Sequence, residues 1–153
     1  MNVAAEVVSS WGPFEADIQQ ILARLSRAAM PETADFLWFV LMTDELRGLP
    51  IMVWPAGRDQ QPHDGWSHEY DLIDSVPETV VLPDLADTPE NVARLRDACA
   101  AFLQQQWSKI QPPPHRLAYF SINEDGWYFS LADGRMISSR NMENEIVSRL
   151  KTV

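Results

Sequence analysis

Two histidines and three carboxylates that could bind a metal ion stand within nine residues of one another. They are His63, Asp64, His68, Glu69 and Asp71. Imidazole nitrogens and carboxylate oxygens are ligands that Zn²⁺ and Mn²⁺ accept in proteins. The spacing does not match a helical His-Glu-x-x-His site, because the residue four positions after His68 is Leu72. The loop 63–71 therefore supports a small metal-dependent hydrolase only as an alternative function.

The remaining residues that could do chemistry predict little catalysis. Cys99 falls on the apolar stripe of a predicted helix, where burial makes a thiol inert, and a single cysteine forms no internal disulfide. His115 follows three prolines and is predicted to be an exposed loop residue. The sequence contains no glycine-rich phosphate or dinucleotide loop, no nucleophile elbow and no Cys-x-x-Cys pair. We therefore assign no catalytic residue, metal or cofactor, and favour a binding protein.

The negative charge of the chain is concentrated in one stretch. No Lys or Arg occurs between Arg58 and Arg94, and the same interval holds nine carboxylates. These are Asp59, Asp64, Glu69, Asp71, Asp74, Glu78, Asp84, Asp87 and Glu90. The rest of the chain has 13 acidic and 12 basic residues, so it contributes only −1 to the net charge of −10. Such a field repels nucleic acids and anionic membranes and attracts basic partners, although solvated loop carboxylates would give the same pattern.

Sequence context divides five of the six tryptophans into two groups. Trp38 and Trp54 lie in apolar strands and are predicted to be in the core. By contrast, Trp11, Trp66 and Trp107 lie at element edges or in the acidic stretch, where a partly exposed indole often anchors an interface. Trp66 is the best candidate anchor because acidic residues surround it. The predicted binding residues are therefore Trp66, Asp59, Asp64, Glu69, Asp71 and Asp74.

Periodicity and turn residues predict three helices and five strands. A long amphipathic helix is predicted to begin at Trp11-Gly12-Pro13 and to end at Met30, and a second is predicted to begin at Thr88-Pro89 and to end before Pro112. A short C-terminal helix follows Asn141. The strands are predicted at 36–42, 50–55, 116–122, 127–131 and 135–139. Residues 56–87 form an irregular acidic segment.

This order predicts an α+β fold. It comprises a mainly antiparallel sheet of about five strands with two long amphipathic helices and a short C-terminal helix packed on it, all on one face. Residues 1–153 are predicted to form a single domain, with the acidic irregular segment 56–87 between two helix–hairpin halves. The repeated order of helix, strand, turn and strand allows an internal duplication. The sequence lacks a signal peptide and a membrane-spanning apolar run, so we expect a cytoplasmic protein that binds neither nucleic acid nor membrane.

These features lead to a hypothesis about function. The chain is expected to be a protein-binding module that presents its acidic surface to a basic protein partner. Small acidic bacterial proteins that neutralise toxins are similar in general composition, so an inhibitor or immunity role is the most concrete form of this hypothesis. A homo-oligomeric structural protein is a third interpretation, and the sequence does not determine the oligomeric state.

Overall fold

The computed structural model describes residues 2–41, 51–60, 88–122 and 126–151. Two helices joined by a 3-10 turn precede the first strand. Helix α1 spans Val3–Trp11, the 3-10 turn spans Gly12–Phe14, and α2 spans Glu15–Leu25. The side chain of Asn2 caps α1 by accepting a hydrogen bond from the amide of Ala5 at 3.1 Å. The prediction of one long helix that starts at residue 11 was therefore wrong, because the chain is already helical before Pro13 and turns there.

The second long helix is confirmed. Helix α3 spans Pro89–Ser108, and its N-cap is Thr88, whose hydroxyl accepts a hydrogen bond from the amide of Asn91 at 3.1 Å. Pro89 stands at the start of α3, where a missing N–H costs nothing. The predicted C-terminal helix is also present, as α4 over Met142–Lys151. In the described ranges, no helix is long and apolar enough to cross a membrane.

Five strands form one sheet in the order β2-β1-β3-β4-β5. Their bounds are Phe36–Leu41 for β1, Ile51–Ala56 for β2, Leu117–Ile122 for β3, Trp127–Ser130 for β4 and Met136–Ser138 for β5. The sheet is mostly antiparallel, as predicted. The exception lies at its centre, where β1 pairs with β3 in parallel and Phe36 stands opposite Leu117. A parallel pair needs a crossover between its strands, and α3 lies in that crossover.

Helices cover both faces of the sheet, so the expectation that all would pack on one face was wrong. Leu37, Phe39 and Phe120 face the cluster formed with α1, α2 and α3. Alternate residues of the same strands, such as Phe36 and Tyr119, face the cluster formed with Met142 and Ile146 of α4. Burial on both faces explains why β1 and β3 are apolar along nearly their whole length.

The topology also argues against an internal duplication. Helices α2 and α3 contribute to the same core cluster, on one face of the sheet, and β1 runs parallel to β3. However, β2 lies on one outer side of this central pair and β4 lies on the other. The two hairpins therefore extend in opposite directions from equivalent starting strands. No rotation superimposes two units whose hairpins differ in this way, so the shared order of elements is not a structural repeat.

Ion pairs connect α4 to the turn between β4 and β5. Arg149 donates hydrogen bonds to Glu145, one turn before it, and to Asp133 at 2.6 Å. Arg135 lies 3.5 Å from the second carboxylate oxygen of Glu145, whose side chain is only 9% exposed. Burial opposes ionisation of Asp133, but hydrogen bonds from the Arg149 side chain and the Arg135 amide outweigh it. The pKa of Asp133 is therefore below its ordinary value.

We expect Arg149→Met to lower the free energy of unfolding near neutral pH by about 1–3 kcal/mol, because it leaves a buried carboxylate poorly paired. The folded state lowers the pKa of Asp133, so the ionised form stabilises the fold above the unfolded pKa. This contribution disappears as the pH falls through the folded pKa. Urea unfolding of Arg149→Met should therefore depend less on pH in the acid range. Arg149→Lys is the matched control, and a variant with methionine as stable as the wild type would contradict the assignment.

The hydroxyl of Tyr119 generates a second prediction. Its ring is fully buried against Phe36, with centroids 5.6 Å apart, and its oxygen has no hydrogen-bond partner among the described residues. Tyr119→Phe keeps the ring and removes the unsatisfied group. We expect the free energy of unfolding to stay the same or to rise by up to about 1 kcal/mol. A clear loss of stability in urea, absent from the control Tyr128→Phe, would show that the hydroxyl has a partner.

Candidate binding surface

The residues predicted to bind a partner lie mostly outside the described residues. Trp66, Asp64, Glu69, Asp71 and Asp74 all fall within 61–87, and so do the possible metal ligands His63 and His68. Asp59 is described, and it is exposed. Within the described ranges, no group of three or more His, Cys, Asp or Glu side chains is close enough to hold a metal ion.

Described residues hold both ends of the acidic segment on the fold. At the first end, the carboxylate of Asp35 accepts a hydrogen bond from the amide of Arg58 at 3.1 Å, and lies 3.4 Å from its guanidinium. Gln60 then donates a side-chain hydrogen bond to the carbonyl of Ser139 at 2.9 Å. At the far end, Thr88 caps α3. The described residues on either side of 61–87, which make up most of the acidic segment, are therefore held on the scaffold.

The hydrogen bond of Gln60 brings three parts of the chain to one corner of the sheet. Ser139 directly follows β5, and its amide donates to the carbonyl of Gly126 at 2.8 Å. Gly126 directly precedes β4, in which Trp127 pairs with Ser138 of β5. We call the group Gln60, Gly126, Trp127, Ser138 and Ser139 the Trp127 corner. The start of the acidic segment thus lies beside the hairpin that carries Trp127.

The tryptophans are distributed otherwise than their sequence context predicts. Trp11 and Trp107 are buried, although both were predicted to be edge residues. Trp11 packs edge-on against Phe102 of α3 at 5.3 Å, a contact made possible by the unpredicted helix α1. Trp107 packs against Phe39, with ring centroids 6.3 Å apart. Trp38 and Trp54, predicted to be core residues, are half-buried, and their ring centroids lie 6.0 Å apart.

Trp127 is the exposed indole that sequence reasoning missed. Its side chain is 43% exposed, whereas Phe129, two residues further along β4, packs against the core cluster of α1–α3. Alternation along β4 puts both on the same face of the sheet. A signal was present in the sequence, since Trp127 follows Asn-Glu-Asp-Gly and so stands at the very start of its strand. A residue at the end of a strand can lie beyond the helices that cover the middle of the sheet, and so remain exposed.

Two open grooves of the described residues lie between helices. One of about 630 Å³ lies between the start of α1 and α3, and is lined by residues that include Val3, Ala98 and Ala101. Another of about 580 Å³ adjoins Glu15, whose carboxylate accepts hydrogen bonds from Lys109 at 2.8 Å and from Gln106 at 3.1 Å. These hydrogen bonds lower the pKa of Glu15. The amide oxygen of Gln106 also has no hydrogen-bond partner among the described residues, but it is buried away from the surface of the groove.

Comparison with known proteins gives no relative: no protein-family model, no curated protein and no solved structure matches this chain.

Cys99 lies in the core, as predicted. It is fully buried in the cluster formed with α1 and α2, and burial raises the pKa of its thiol. The thiolate needed for attack therefore does not form at ordinary pH.

We expect Cys99 in the folded protein to resist Ellman's reagent at pH 8 and to react fully once guanidinium unfolds the chain. Global unfolding should limit the labelling rate, since the described structure buries the thiol behind α1 and α2. Addition of urea below the unfolding midpoint should raise this rate in step with the fraction unfolded. Rapid labelling without denaturant would contradict the burial of Cys99.

Proposed function

We propose that this chain is a protein-binding module that presents its acidic segment to a basic protein partner. The observation that carries the proposal is the separation of charge from scaffold. The stretch 59–90 holds nine carboxylates and no Lys or Arg, while the remainder is nearly neutral. An acidic field confined to one stretch steers a basic partner to that stretch, because diffusing charges follow the local potential.

The anchoring of the segment supports the same proposal. Gln60 and Thr88 bound it, and each is held by hydrogen bonds to the scaffold. Binding residues are often found on connecting segments that a rigid scaffold positions. The two grooves described above are open, and Cys99 is buried, so neither feature favours catalysis over binding.

An inhibitor or immunity protein is the most specific form of this proposal. A basic enzyme or toxin would be blocked if the acidic segment covered its own binding surface for an anionic substrate. The electrostatic field would then accelerate association, and apolar contacts would supply much of the affinity. A basic protein encoded beside this one in its genome is the first partner to test.

The test is charge reversal at the predicted contact residues. We expect the triple variant Asp64→Lys, Glu69→Lys, Asp71→Lys to associate with the basic partner roughly tenfold or more slowly at low salt, and with a weaker salt dependence. Association is measured by stopped-flow with a partner isolated from the native cell by cross-linking. Each reversal adds two charges, so three reversals change the net charge from −10 to −4.

A control with the same net charge separates location from total charge. Glu6, Glu32 and Glu143 are exposed carboxylates of the described scaffold, and reversing all three to Lys also adds six charges. We expect this control to slow association far less than the reversal within the acidic segment. Equal effects of the two triple variants would mean that only net charge matters, and unchanged kinetics in both would overturn the proposal.

A further inference from the structure

The exposure of Trp127 is unusual within this fold. Five of the six tryptophans are described, and four of them are buried or half-buried. Trp127 is 43% exposed, although Phe129 on the same face of β4 packs against the core cluster of α1–α3. Tryptophan left open to solvent is enriched at the centre of protein interfaces, where a large flat side chain is desolvated by a partner.

The backbone beneath this indole is fixed. Trp127 pairs with Ser138 across β4 and β5, and the amide of Ser139 binds the carbonyl of Gly126. Gly126 itself has a φ of +74°, a conformation that glycine adopts without strain. Because the strand is already ordered, a partner that packs on Trp127 restricts only the two side-chain torsions. A rigid aromatic anchor of this kind loses little entropy on binding.

The surroundings of Trp127 favour a positively charged contact. The hydrogen bond from Gln60 to Ser139 places the start of the acidic segment at this corner, and exposed Asp59 comes directly before Gln60. In sequence, Glu124 and Asp125 immediately precede Gly126. Among the described residues, Arg140, next to Ser139, and Arg58, next to Asp59, carry the opposite charge. Glu124 and Asp125 stand within three positions of Trp127 in the sequence. Carboxylates this near raise the local concentration of cations, and the face of an indole attracts cations directly.

We propose that Trp127 is the central contact of the partner-binding surface, and that it receives an Arg or Lys side chain of the basic partner against its indole ring. This inference rests on the proposed function and makes it more specific. Trp127 supplies a rigid contact that the partner desolvates, while the carboxylates of the stretch 59–90 supply the long-range attraction.

Ionic quenching of fluorescence tests the local potential without a partner. The signal of Trp127 is the difference between the wild type and Trp127→Phe, since the other tryptophans are common to both. Relative to their quenching of free N-acetyltryptophanamide, caesium ions should quench this difference signal more than iodide does, because Glu124 and Asp125 stand within three positions of Trp127. Arg140→Gln should widen the gap. On this relative scale, quenching by iodide equal to or greater than that by caesium would overturn the inference.

Binding of a fluorescein-labelled nona-arginine peptide, followed by anisotropy, tests the contact itself. We expect Trp127→Ala to bind the peptide roughly three- to tenfold more weakly than the wild type, and Trp127→Phe to lie between them. The ratio of the wild-type affinity to the Trp127→Ala affinity should persist when salt lowers both, because salt screens a ring contact less than it screens long-range attraction. The control is Val8→Ala, which removes apolar surface from the 58% exposed residue of α1 and should bind like the wild type.

The outcomes separate this inference from the proposed function. Circular dichroism confirms first that each variant is folded, and Trp127→Phe preserves the test if Trp127→Ala is not. If both Trp127 variants bind as the wild type does while reversal at Asp64, Glu69 and Asp71 weakens binding, Trp127 is not the contact and the acidic-segment proposal stands. If Val8→Ala weakens binding as much as Trp127→Ala, the contact is general surface hydrophobicity and the inference fails.

Discussion

The parallel pairing of β1 with β3 is the constraint on which the rest of this structure depends. It places two strongly apolar strands side by side at the centre of the sheet, where each face must be covered. Helices α1 to α3 cover one face, and α4 covers part of the other. Because β1 and β3 occupy the middle, the antiparallel partners β2 and β4 can only extend outwards. The opposite handedness of the two hairpins follows directly from this arrangement.

Local sequence signals identified most of the elements and missed how they meet. The Thr88-Pro89 start of α3, the apolar runs of β1 and β3 and the hairpin after residue 122 are encoded by neighbouring residues, so they could be predicted. The pairing of β1 with β3 joins distant parts of the chain, and no periodicity reports it. Helix α1 was missed because its weakly apolar residues are stabilised by α3, through contacts such as that of Trp11 with Phe102.

The same reason explains the tryptophans. Whether an indole is buried depends on what covers it, and that is a property of the tertiary structure. Trp11 and Trp107 looked like edge residues because they stand near helix ends, yet neighbouring elements enclose both. Trp127 was predicted only as a strand residue, yet the helices that pack on its face of the sheet leave it exposed. The charge separation, by contrast, is a property of composition alone and was fully visible in the sequence.

The central pairing has a consequence for synthesis of the chain. Phe36 and Leu117 pair across 117 − 36 = 81 positions, so β1 cannot gain its parallel partner until most of the chain has left the ribosome. Until then, the hairpin of β1 and β2 exposes a long apolar strand with an unpaired edge, which is the kind of segment that aggregates. The acidic stretch emerges directly after β2, and dense like charge beside such a strand opposes self-association. We expect these carboxylates to protect the nascent chain, in addition to the partner-binding role proposed for them.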